Sequence, residues 1–272
     1  MMQLIDTHAH ICFDAYDEDR SEMMARAYDS GVYKLVHPCC QLSEIPRLLE
    51  LTQEYNGDGK IDLYTAMGLH PCYIEHWDQD SAAKISDYID KELTKPSHKV
   101  RAIGETGLDY FHCKDETSQA RQRDIFREQI ALAKKYQLPL IIHTRDAWQD
   151  TLAILKDEYP EDRNANNGTI HCYTGDYSFA SEVIEHGFYI SWSGIVTYKK
   201  NDEFRETASK IPLDRVLVET DCPFLAPQAQ RGKRNEPSFV NYIAQTLAEA
   251  YNISKEELAG ITTENAIRLF GI

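Results

Sequence analysis

The chain has 272 residues, 42% hydrophobic and 27% charged, and its 44 acidic against 29 basic residues leave a net charge of −15. So acidic a chain lacks the basic surface of a non-specific nucleic-acid binder, and no stretch of roughly 18 apolar residues offers a membrane span. Two domains would fit the length, but so does one α/β barrel, which commonly needs about 250 residues.

Eight short apolar runs punctuate the sequence. In chain order the predicted strands cover residues 4–8, 34–37, 63–67, 100–104, 140–143, 168–171, 188–191 and 216–219. Each is apolar on consecutive positions and rich in β-branched residues, as strands buried on both faces are. Helical spacing fills the gaps between them. Phe126, Ile130 and Ala133 recur at i, i+4, i+7 after Thr117. Phe239, Ile243 and Leu247 recur at i, i+4, i+8 after Pro237, and Ser254 with Glu257 has capping-box spacing before Leu258. Strand and helix alternate about eight times, so the expected fold is a (β/α)8 TIM-type barrel, one α/β domain over 1–272. His8-Ala9-His10 stands where an open nucleotide-binding sheet would carry its glycine fingerprint. Residues 164–168 read as a polar loop. The opening Met1-Met2-Gln3-Leu4-Ile5-Asp6 has no basic segment before a long apolar one, so no signal peptide is expected. The seven cysteines, at 12, 39, 40, 72, 113, 172 and 222, are odd in number and have no disulfide-framework spacing. They are expected to be reduced thiols in packing roles, in a cytoplasmic protein.

The ends of the runs carry the chemistry. Residues two apart in a strand share a side, so His8 and His10 converge on one point. Asp6 has the same parity and either orients a ligand histidine or caps polar groups. Glu105 follows an apolar strand directly, which is costly unless the carboxylate is paired or metal-bound; a salt bridge to an arginine is the alternative. His143 and His171 end the fifth and sixth runs. Either alone reads as a core histidine, but both beside His8, His10 and Glu105 read as ligands. Glu219 and Asp221 share a face with Leu217, and two acids so close repel unless a cation neutralises them. This nitrogen and oxygen set suits Zn, Mn, Fe, Co or Mg, and two ions better than one. Glu105 is the natural bridge. A water between two such ions loses a proton readily, and Asp221 is placed to accept it or to hold the water in line. Cys172 and Cys222 follow presumed ligands and point away if strand geometry persists. His70, in Gly68-Leu69-His70-Pro71, belongs at the same mouth. Arg231-Gly232-Lys233-Arg234-Asn235-Glu236-Pro237 places three cations in four residues after the eighth strand, where barrels commonly bind phosphate.

Seven segments, in order, resemble the TatD family of metal-dependent deoxyribonucleases, within the amidohydrolase-like barrels. They are Ile5-Asp6-Thr7-His8-Ala9-His10, Gly68-Leu69-His70-Pro71, Gly104-Glu105-Thr106-Gly107-Leu108-Asp109-Tyr110, His143-Thr144-Arg145-Asp146-Ala147, His171-Cys172-Tyr173-Thr174-Gly175, Glu219-Thr220-Asp221-Cys222-Pro223 and the 231–237 segment. The resemblance implies that His8, His10, Glu105 and Asp221 bind one metal and that Glu105, His143 and His171 bind the second. It implies that His70, Arg231, Lys233 and Arg234 contact the scissile phosphate or its neighbours. Glu219 would lie close to the metals or substrate as an added contact. The implied activity is a 3′→5′ exonuclease on single-stranded DNA or DNA 3′ ends, with RNA as a second substrate in some members. Two divalent ions (Mg, Mn or Zn) are the implied cofactors. Two rivals stand beside this reading: hydrolysis of an ester or amide on the same scaffold, and a barrel that binds nucleic acid or protein without turnover. No exposed apolar stripe shows in the pattern, so a monomer is expected.

Overall fold

All eight apolar runs form strands, and the strands pair in parallel and in sequence order. The computed structural model describes residues 3–56 and 60–272; Met1 and Met2, where the reading of an absent signal peptide begins, lie outside the described residues, as do 57–59. The strands are β1 (Leu4–Asp6), β2 (Val32–Pro38), β3 (Asp62–Met67), β4 (Val100–Asp109), β5 (Leu140–Arg145), β6 (Gly168–Ile170), β7 (Phe188–Trp192) and β8 (Val216–Val218). The helices between and after them are α1 (Arg20–Asp29), α2 (Ile45–Asn56), α3 (Ser81–Leu93), α4 (Glu116–Tyr136), α5 (Trp148–Glu158), α6 (Tyr177–Glu185), α7 (Asp202–Lys210), α8 (Val240–Tyr251) and α9 (Lys255–Phe270). The sheet closes past the ends of β8 and β1. Ala9 bridges Cys222, Thr7 N donates to Val218 O at 3.2 Å, and Asp221 N donates to His8 O at 2.9 Å. The result is a (β/α)8 barrel.

Strand alternation explains the continuous apolar runs. Ile5, Val36, Tyr64, Ala66, Ala102, Ile141, Tyr189 and Leu217 form one buried cluster, which packs on Ala266, Leu269 and Phe270 of α9. Their strand neighbours Leu4, Leu35, Leu63, Ile103, Leu140, Ile190 and Val218 join helix residues such as Leu48, Phe126, Ile130 and Leu247 in a second, larger one. Both faces of each strand are therefore dry, and each fully buried Leu or Ile stabilises by about 1.5–3 kcal/mol relative to exposure. The stripe Phe126, Ile130 and Ala133 is buried on α4 as read; of the other, Ile243 and Leu247 are buried on α8, while Phe239 is half-buried in the turn that precedes the helix. The Ser254 side chain accepts from Glu257 N at 3.1 Å, a cap that contributes about 1 kcal/mol.

The boundaries differ where the chain turns out of the barrel mouth. β1, β6 and β8 stop at Asp6, Ile170 and Val218, so His8, His10, His171, Glu219 and Asp221 sit just beyond strand ends. Cys172 (φ 46°) and Asp221 (φ 56°) adopt left-handed backbone, and strict alternation fails there. β4 runs past Gly104 to Asp109, with a register irregularity between Ile103 and Thr106. Gly107 permits this: its φ is +128° and a Cβ would lie 2.0 Å from His143 O. Gly168 opens β6 and so ends the expected 164–168 loop one residue early.

Candidate metal centre

Glu105 sits at the middle of the mouth, buried, with its two oxygens facing different groups. Oε2 lies 3.4 Å from His8 Nε2 and 3.5 Å from His10 Nε2. Oε1 lies 2.8 Å from His171 Nε2, 3.2 Å from His143 Nδ1 and 3.3 Å from His70 Nε2. Asp221 Oδ1 completes the first side, 3.5 Å from His10 Nε2 and 3.8 Å from His8 Nε2. The two Nε2 atoms of His8 and His10 are 3.1 Å apart, and His143 Nδ1 is 3.3 Å from His171 Nε2. Metal bonds of about 2.0–2.2 Å set neighbouring donors roughly 3–3.6 Å apart; most of these spacings match, with Glu105–His171 at 2.8 Å a little short and Asp221–His8 at 3.8 Å a little long. Three overlapping groups have donor atoms close enough to hold a cation: His8, His10 and Glu105; His8, His171 and Asp221; and His70, Glu105 and His143.

Charge balance supports the same reading. Burial opposes ionisation of Glu105, but the charge of His171 and hydrogen bonds from His143 and His171 outweigh it and hold its carboxyl well below the usual range. Asp221 is likewise opposed by burial, yet the His10 hydrogen bond and the charges of His8 and His171 hold it low. Two ionised carboxylates in a dry mouth need positive charge beside them, from protons on imidazoles or from cations. The imidazole and carboxylate donors are of the kind that holds divalent cations.

Two further carboxylates back the second side. Asp109 Oδ2 lies 3.1 Å from His143 Nε2, the nitrogen turned away from Glu105. Glu219 Oε1 lies 3.3 Å from His171 Nδ1, within ion-pair reach but without hydrogen-bond geometry. A bonded partner such as Asp109 fixes the ring and its tautomer and raises ligand basicity. Asp109 carried no role in the sequence reading, although it lies within a quoted segment; only the length of β4 brings it to His143. Glu219 was expected at the metals or substrate. Instead it is fully buried behind His171, accepting from Cys172 N at 2.6 Å and from Ser191 Oγ at 2.5 Å. Asp6 takes the capping option: it accepts from Thr220 N at 2.9 Å, Thr220 Oγ1 at 2.6 Å and His8 N at 3.3 Å. His8 Nδ1 is buried without a hydrogen-bond partner.

His70 faces Glu105 but has a donor's geometry. Its Nδ1 accepts from Cys72 N at 3.1 Å, so the ring hydrogen sits on Nε2. Burial pushes its pKa down to about 3, which keeps it neutral.

The basic loop divides. Arg234 is tied down: its guanidinium donates to Ala15 O and to Asp19 Oδ2 at 2.7 Å, and stacks on Tyr16. Arg26 links Asp19 onward to Glu236, so this corner is an ion-pair network. Arg231 is exposed and lies over Tyr198 at 4.5 Å. Lys233 is exposed and makes no ion pair among the described residues. All seven thiols are free. Cys172 Sγ contacts Ser193 Oγ at 3.1 Å and Cys222 is fully buried, neither in a metal-compatible group. Cys72 sits with Asp109 and His112 in a fourth group of potential ligands.

The chain matches the model of the family described as TatD related DNase over residues 5–271. It is 44% identical over 269 residues to the uncharacterized metal-dependent hydrolase YabD of Bacillus subtilis (strain 168), covering 99% of each chain. It is 35% identical to the uncharacterized metal-dependent hydrolase YcfH of Escherichia coli (strain K12), covering 100% of this chain and 97% of that one. Its fold superposes on the crystal structure of YjjV, a TatD homologue from Escherichia coli K12, with a TM-score of 0.88, 29% identity, and coverage of 100% and 99%. A centre of imidazoles and carboxylates on this barrel, with relatives of that kind over its full length, makes the chain a member of the TatD family of metal-dependent hydrolases.

Proposed function

We propose that this hydrolase cuts phosphodiester bonds at the 3′ ends of DNA, using two divalent cations shared across Glu105. The observation that carries the proposal is the division of Glu105: Oε2 toward His8 and His10, Oε1 toward His143 and His171. When bound, the cations supply Lewis-acid charge for the phosphate and lower the pKa of a water. His8, His10 and Asp221 would hold the first, His143 and His171 the second, with Glu105 common to both. Asp221, ionised and 13% exposed at its side chain, is the group placed to take the proton of the attacking water. Neutral His70 offers its Nε2 hydrogen to a phosphate oxygen. Arg231 and Lys233 lie after β8, where they would meet the phosphates that follow.

Aromatic rings favour nucleic acid over a small ester or amide. Phe13 stacks on His10 at 4.9 Å, and Phe224 meets Phe13 edge-on at 5.9 Å. Phe224 is 52% exposed. A half-exposed aromatic beside the reacting centre suits stacking of a terminal base, worth about 1–3 kcal/mol per base. The acidic body then favours a strand end entering the mouth over a duplex lying along the surface. The free thiols suit the cytoplasm, and the exposed large apolar residues, such as Tyr28, Leu93 and Tyr177, lie on separate elements, in keeping with a monomer.

The test is metal-stripped protein on 5′-labelled single-stranded DNA, with Mg²⁺, Mn²⁺ or Zn²⁺ added back, alongside a panel of esters and amides. Cation-dependent shortening from the 3′ end is expected. His143→Ala and Asp221→Ala should abolish it, the latter by about 10²–10⁴-fold. Turnover of an ester or amide with intact DNA would overturn the phosphodiester reading and leave the metal centre standing.

A further inference from the structure

At the rim of the mouth, three side chains of mixed chemistry meet outside the groups around Glu105's first oxygen. Cys72 comes from the turn after β3, Asp109 ends β4, and His112 lies in the loop before α4. Their donor atoms lie within 4.8 Å of one another. Cys72 Sγ is 3.5 Å from Asp109 Oδ2 and 3.6 Å from His112 Nδ1, while Nδ1 and Oδ2 are 2.9 Å apart. A tetrahedral zinc-like ion, with bonds of about 2.3 Å to sulfur and 2.0–2.1 Å to nitrogen and oxygen, spaces its donors about 3.3–3.6 Å apart. Two of the three separations already match, and the third needs an opening of a few tenths of an ångström.

The surroundings hold this arrangement. Asp109 is buried, and its Oδ1 accepts from His112 N at 2.8 Å, which leaves Oδ2 for the other two groups. Gln122 clamps the Asp109 backbone on both sides, its Oε1 accepting from Asp109 N at 2.8 Å and its Nε2 donating to Asp109 O at 3.2 Å. The His112 side chain is 52% exposed, so an ion has a path in from solvent and room for a water as fourth ligand.

We propose that Cys72, Asp109 and His112 form a third divalent-cation site, distinct from the pair shared by Glu105 and selective for zinc-like ions. The selectivity follows from the donors. A thiolate beside an imidazole favours Zn²⁺, Co²⁺ or Cd²⁺ over Mg²⁺ and Mn²⁺, whereas the groups around Glu105 offer only nitrogen and oxygen. The site is one residue from the second cluster, because Asp109 Oδ2 also faces His143 Nε2. It does not depend on which bond the enzyme cuts.

Cobalt tests it, since only a thiolate ligand produces the near-ultraviolet sulfur-to-cobalt charge-transfer band. Metal-stripped full-length protein is titrated with Co²⁺, and bound Zn²⁺ per chain is counted after dialysis. The parent is expected to show the band. Cys72→Ser should lose the band and one zinc per chain, and His112→Ala should weaken cobalt binding at the band by at least about tenfold. Cys40 Sγ lies 3.8 Å from His10 Nδ1, so Cys40→Ser is the control and should keep the band. No band in the parent, a band unchanged in Cys72→Ser, or one lost in Cys40→Ser would overturn the proposal. Cys72 is only partly buried, and unchanged thermal unfolding of metal-free Cys72→Ser would show that the fold is intact. DNA cleavage supported by Mg²⁺ should survive in Cys72→Ser, so failure here and failure of the nuclease reading are separable.

Discussion

The two sides of Glu105 are built differently. On the first, His8 and His10 come from one segment, and their far nitrogens have no carboxylate: His8 Nδ1 is unpartnered and His10 Nδ1 faces the Cys40 thiol. On the second, His143 lies in β5 and His171 just past β6; His143 Nε2 is bonded to Asp109, and His171 Nδ1, without a hydrogen bond of its own, lies 3.3 Å from buried Glu219. The first side compensates with a second carboxylate at the centre itself, Asp221. Negative charge is therefore applied directly to one position and through imidazole rings to the other. Direct contact leaves an acid available to move a proton. Contact through a ring sharpens ligand basicity and direction.

Substitutions can break this contrast. The largest effect is expected from Glu105→Gln, which removes the element common to both sides; metal titration should show both affinities reduced and cleavage at the level of chelated protein. Next come Asp109→Asn and Glu219→Gln, each expected to weaken the second side's cation by about 10–100-fold and leave the first side's unchanged, with Asp109→Asn also removing the cation at Cys72 and His112. Equal loss at both positions would show that the sides are not separate. Chelation should be smaller but general. A cation at about 100 times its Kd adds about 2.7 kcal/mol, which at roughly 2–4 °C per kcal/mol in a chain of this size lowers Tm by about 5–10 °C on removal.

Per pH unit, the smallest effect is a stability slope beside the first side. His37 is fully buried, with Nε2 2.8 Å from Thr52 Oγ1, a hydroxyl that itself donates to Leu48 O. Burial, with His10 nearby, pushes its pKa down to about 3. The folded ring stays neutral while the unfolded one gains a proton below about pH 6.5. Stability should fall by about 1.4 kcal/mol per pH unit from this group as pH drops from about 6.5 toward 3, with no contribution above. Urea unfolding in chelator should show the slope reduced by one proton in His37→Leu; an unchanged slope would place the titration elsewhere.

Most of the scaffold was legible because both strand faces are dry, which leaves uninterrupted apolar runs, and because each central group sits within a few residues of the end of such a run. What escaped depended on geometry past those ends. Asp109 reaches His143 only because β4 continues through an irregular register and a glycine contact. Glu219 has the inward parity expected of it, but Ser191 and Cys172, remote in sequence, claim its oxygens. Arg234 shares its loop with Arg231 and Lys233, yet its partner Asp19 lies at the start of α1, more than 200 residues earlier. Cys72 and His112 belong to different loops, and nothing in the spacing of either announces the other.

The closing seam of the barrel has a mechanical consequence. The hydrogen bonds that join its first strand to its last run through Ala9, His8 and Asp221, the same stretch of backbone that carries one half of the centre. Occupancy there acts as a clasp between the two ends of the fold, and its release loosens the longest loop closure in the molecule. Amide exchange at residues 7–10 and 219–222 should therefore slow on adding cation more than exchange at β3 or β4. Uniform slowing around the ring would show that the barrel closes without it.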